Sequence, residues 1–112
     1  MVDVCISRDE MMDDLSRFVI SMNIDNESMF MRFTEDFNGW KNGIWLCGEC
    51  EDALDSNGVA LFRYYADSYV FQSVNPYENY IFGVHPDVHN FVQERGWYFE
   101  WYDPGTLMLW QQ

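Results

Sequence analysis

Two aromatic-rich runs joined by a tight turn constrain this chain more than any other feature. Trp97-Tyr98-Phe99-Glu100-Trp101-Tyr102 leads into Asp103-Pro104-Gly105-Thr106, and that turn sequence leads into Leu107-Met108-Leu109-Trp110. Alternation places Trp97, Phe99 and Trp101 on one side of an extended strand, and Asp, Pro and Gly are the residues a reverse turn selects. The segment reads as a β-hairpin. Both of its faces are largely apolar or aromatic, so it is either covered on both sides or carries an exposed aromatic patch.

Upstream, Ser7-Arg8-Asp9-Glu10 fits a capping box, and Met11, Met12, Leu15, Phe18, Val19 and Met22 recur at three and four residues. That period predicts a helix over roughly 8–22. Alternation around Met29, Met31 and Phe33 predicts a strand, and Asn38-Gly39 with Asn42-Gly43 predicts a turn-rich connection. Residues 44–49 and 59–65 read as a hairpin with a long loop closing on Asp55-Ser56-Asn57-Gly58, and 69–74 and 79–84 as further strands. Pro86 opens a second helix that Gly96 stops.

The order of elements shows no βαβ alternation. It predicts an α+β fold: a mostly antiparallel sheet of about 5–7 strands with two helices packed on one face. At 112 residues, without a repeat or linker, the chain is expected to form a single domain over 1–112.

Charge sets the class of partner. Nineteen acids against six bases give a net charge of -13, and a field of that sign repels phosphate backbones, so direct nucleic-acid or anionic-membrane binding is disfavoured. Residues 1–56 hold 13 of the acids and four of the bases. On the first helix Asp9 and Asp13, and Glu10 and Asp14, form like-charge pairs at i, i+4, each unfavourable by about 0.2–0.5 kcal/mol unless compensated. Glu49, Glu51, Asp52 and Asp55 form a second acidic group. If extended, Glu49 and Glu51 would project carboxylates about 6.6–6.8 Å apart, imitating a phosphate row. Aromatics make up 19% of the chain, more than one small core readily hides. Tyr64, Tyr65 and Tyr69, with Tyr77, Tyr80, Tyr98 and Tyr102, have the amphipathic character of interface anchors.

Cys47-x2-Cys50 and His85-x3-His89 have the short spacings of zinc pairs. The 34 residues between the pairs exceed the usual finger spacing, and acids crowd Cys50, so reduced thiols and two polar histidines are the favoured reading. No cofactor is expected. Pro86 stands where a zinc-protease helix has its glutamate, the acids near Cys47 oppose a lowered thiol pKa, and phosphate-loop and nucleophile-elbow motifs are missing. The chain is therefore not expected to be an enzyme.

The expected function is that of a non-catalytic inhibitor, monomeric or homodimeric, that engages a basic partner such as a nuclease or other nucleic-acid-binding protein. Its partner-binding residues are expected to be Asp9, Glu10, Asp13, Asp14, Glu49, Glu51, Asp52, Asp55, Tyr64, Tyr65 and Tyr69. In size and charge the chain resembles small phage or mobile-element anti-defence proteins, including DNA mimics and anti-restriction and anti-CRISPR proteins. An immunity protein or antitoxin against a basic toxin, and a small zinc-stabilised interaction domain, are the alternatives. The N-terminus has neither a basic nor a long apolar leader segment, and no run of 18 apolar residues occurs, which points to a cytoplasmic protein.

Overall fold

The computed structural model of the chain describes residues 5–49, 53–64 and 80–112. Helix α1 spans Arg8–Ser21, β1 Arg32–Phe33, α2 Glu35–Asn38, β2 Ile44–Cys47, α3 Pro86–Gln93, β3 Trp97–Asp103 and β4 Thr106–Gln111, with a 3-10 turn at Asn26–Met29. The four strands form one antiparallel sheet in the order β1-β2-β4-β3. The fold is α+β.

Local chemistry accounts for the helices. Ser7 Oγ accepts the Glu10 N–H and caps the start of α1, while the Glu10 carboxylate reaches back to the Ser7 hydroxyl rather than to its backbone N–H. Met11, Leu15 and Val19 then turn to the core. Pro86 sits in the first turn of α3, where the lost N–H costs nothing, and Gly96 beyond it takes a φ of +83°.

Register sorts the sheet residues into two faces. Ile44 pairs with Leu109, Leu46 with Leu107, and Phe99 with Leu109. These side chains share a core with Met11, Leu15 and Val19 of α1 and Val88 and Val92 of α3, and Phe18 stacks on Phe91 at 4.2 Å between the two helices. The opposite face carries Trp45, Met108 and Trp110 and is covered by α2, whose Phe37 lies 4.8 Å from Trp45 and 5.0 Å from Tyr102. The expectation of two helices on one face holds for α1 and α3; a third, short helix covers the other.

Three sequence expectations are corrected. Met29 ends the 3-10 turn, so the strand predicted around it shrinks to Arg32–Phe33. Strand β2 pairs with β1 and β4, not with the segment predicted over 59–65, whose described residues 59–64 make only isolated bridges at Ala60 and Phe62. Among the described residues the sheet therefore has four strands rather than five to seven. β4 is apolar on both faces: Leu107 and Leu109 enter the core under α1 and α3, Met108 is buried on the face that α2 covers, and the two edges of the strand are paired with β2 and β3. The strand predicted over 69–74 lies outside the described residues, and of 79–84 the described residues 80–84 make only isolated bridges, Phe62–Val84 and Ile81–Val84.

Candidate functional site

The acids of α1 divide into two groups. Asp9 and Glu10 are exposed in the first turn, where the helix dipole favours them. Asp13 pairs with Arg17 at 3.0 Å, both side chains largely in solvent. Asp14 instead takes Arg95 from beyond α3 at 3.2 Å, and that guanidinium lies 3.5 Å over the Phe91 ring. Arg17 and Arg95 thus offset the like-charge spacing seen in the sequence.

Of the second acidic group, Glu49 and Asp55 do not join the first. Glu49 is exposed beside Gly105, at the end of β2 where Cys47 pairs with Thr106. Asp9 lines a depression with Asn42 and Gln111, beyond the other end of β2 and β4. Asp55 turns inward: its carboxylate accepts the N–H groups of Asn57 and Val59 and lies 3.1 Å from His85 Nε2. Burial pushes this carboxyl up, but the Val59 N–H, the His85 ring and the Asn57 N–H outweigh it and hold it below the usual range. Tyr64 is exposed, its ring edge-on to Trp101 at 5.2 Å. Glu51, Asp52, Tyr65 and Tyr69 lie outside the described residues.

His85 is committed within the chain. Its Nδ1 accepts the Asp87 N–H at the start of α3, so Nε2 carries the hydrogen donated to Asp55. Neither ring nitrogen is then free to bind a metal or move a proton. Cys47 lies on β2 and His89 on α3, whereas Cys50 is outside the described residues. Among the described residues no group of three His, Cys, Asp or Glu is placed to hold a metal.

The sequence reading did not place Trp40 and Glu100, with Tyr98, Tyr102 and Trp110, on a common face. Alternation along β3 was the available clue, since Trp97, Phe99 and Trp101 inward means Tyr98, Glu100 and Tyr102 outward. Trp40 is positioned by a tightly bonded loop. Thr34, fully buried, donates from Oγ1 to the Trp40 carbonyl at 2.7 Å and accepts the Gly43 N–H at 3.0 Å. Glu35 accepts from Arg8 at 2.6 Å and from the Asn42 N–H at 3.2 Å. Trp40 is thereby held 5.6 Å from Tyr102 and 6.2 Å from Trp110.

Two expected results follow from this loop. A Cβ on Gly43 would collide with the Trp110 ring and sit 2.8 Å from Thr34 Cγ2, so Gly43→Ala should destabilise the fold by about 1–3 kcal/mol in denaturant titrations. The Arg8 hydrogen bond, then the Asn42 N–H, lower the Glu35 carboxyl from 4.5 to about 2. A carboxyl lowered in the fold stabilises fully above its unfolded value, and that contribution disappears as pH falls from 4.5 towards 2. Glu35→Gln should flatten this acid limb in a plot of Tm against pH.

A groove of about 510 Å³ separates α1 from the Asn26–Met29 turn. Met12, Phe30 and Met31 are its apolar lining, and Asp13 and Glu27 are its acids. Phe30 is 60% exposed and takes a φ of +51°, a conformation that is costly for an aromatic residue.

No helix among the described residues is long and apolar enough to cross a membrane. No protein-family model, curated protein or solved structure matches the chain.

Proposed function

We propose that the chain is a non-catalytic binding protein of the anti-defence kind, which occupies a basic protein and denies it its nucleic acid in the cytoplasm. The observation that carries this reading is how the charges are distributed. Arg8, Arg17 and Arg95 are tied to carboxylates, and Arg32 lies 3.6 Å over Trp45. Exposed Asp9, Glu10, Asp25, Glu27, Asp36 and Glu49 face no cation among the described residues. An acidic field of this kind steers a cationic groove onto the surface, and exposed Phe30, Trp40 and Tyr102 supply apolar contact once the partner has docked.

Capture from cell lysate at low and high salt, followed by a nucleic-acid-binding assay on the captured protein, tests the reading. The partner should be basic, should release as salt screens the field, and should lose its nucleic acid in proportion to the chain added. A partner held equally at both salt concentrations, or one that keeps its nucleic acid while bound, overturns it.

A further inference from the structure

The sheet face that carries Trp45 and Trp110 also sets one carboxylate among rings. Tyr98 and Glu100 alternate along β3, so their side chains leave this face about 6.6–6.8 Å apart, and Tyr102, at the register shift between Trp101 and Asp103, is placed on the same face by its contacts with Phe37 and Trp40. Register puts Tyr98 opposite Trp110 and Glu100 opposite Met108. Glu100 is exposed and meets no cation among the described residues, while Tyr102 is 52% exposed.

Elsewhere the molecule shows twice what it does with a ring beside a carboxylate. Arg8 lies 3.9 Å over Phe33 while bonding Glu35 at 2.6 Å. Arg95 lies 3.5 Å over Phe91 while bonding Asp14 at 3.2 Å. In both, a planar guanidinium lies over the ring and donates to the carboxylate in one conformation, which a compact, more strongly hydrated ammonium does less well. Glu100 with its flanking tyrosines has the same two components and no guanidinium from its own chain.

We propose that Glu100, Tyr98 and Tyr102 form a receptor for an arginine side chain of the basic partner. The assignment rests on the reading of the chain as a binder of basic proteins and names the contact that reading leaves open. Opposite charge favours the guanidinium, and the adjoining Trp110 and Trp40 provide apolar surface for its aliphatic stem.

Titration of the intact protein with oligoarginine and oligolysine peptides of equal length, followed by tryptophan fluorescence, tests the receptor. The arginine peptide should bind roughly tenfold more tightly. Glu100→Gln and Tyr102→Leu, both at exposed positions, should each remove most of that preference. Glu94→Gln, the same charge change at the end of α3, should weaken both peptides by one small factor. Equal binding of the two peptides, or an unchanged preference in Glu100→Gln, overturns the receptor while the acidic-field reading stands. No binding of either peptide at low salt overturns both.

Discussion

Reversal of Asp9, Asp13 and Glu49 to lysine should slow association with the basic partner by roughly 10- to 100-fold, the range that electrostatic steering contributes to on-rates. The three side chains are exposed, and only Asp13 has a cationic partner among the described residues, Arg17, in a pair open to solvent. Stability should therefore stay within about 0.5 kcal/mol of the parent for Glu49 and fall by no more than about 1 kcal/mol for Asp9, which the helix dipole favours, and for Asp13, which loses its pair with Arg17. Stopped-flow association across a salt series checks the claim: the parent should slow steeply with salt and the reversed variant should not. Asp14 belongs outside this set. Its reversal would put a second cation beside Arg95, which is packed on Phe91, and lower stability together with binding. Unchanged association rates in the triple variant would reduce the acids to a role in solubility.

Trp97→Ala should remove about 3–5 kcal/mol, a large part of what holds a domain of this size together. Trp97 is fully buried, and its indole N–H donates to the Ile6 carbonyl at 2.9 Å. The Gln111 side chain donates to that same carbonyl, and the Ile6 N–H donates to the Arg95 carbonyl. One side chain thus fills the space beneath the hairpin and ties the segment before α1 to it. The denaturant midpoint should fall sharply with little change in slope, and near-ultraviolet circular dichroism should lose intensity. Trp97→Phe, which keeps a ring but loses the donor, should cost less.

The residues that resisted sequence reading did so for identifiable reasons. Asp55 looked like part of a hydrophilic loop, but it became a half-buried acceptor because buried His85, thirty positions away, caps α3 and turns its other ring nitrogen to the Asp55 carboxylate. Asp14 matched its neighbours on α1 until Arg95 was brought across from beyond α3. Glu49 and Asp9 were both expected among the partner-binding residues, whereas the antiparallel pairing of β2 with β4 sets them at opposite ends of those strands.

What the sequence determined by itself is what short-range chemistry controls. The capping box and three-four spacing set α1, Pro86 and Gly96 bracket α3, and Asp103-Pro104-Gly105 folds β3 onto β4. Each depends on residues within one or two turns of each other, so each was legible before any tertiary contact was known. The partner of β2 was not. Ile44–Cys47 offers an alternating strand that 59–65 or β4 could accept, and neighbouring sequence favours the former. Only the whole molecule decides, because placing β4 between β2 and β3 brings one of its faces under α1 and α3 and the other under α2, and the hydrophobic gain belongs to the assembled core rather than to either strand. That same choice leaves Glu100 and its tyrosines on the outer face of β3.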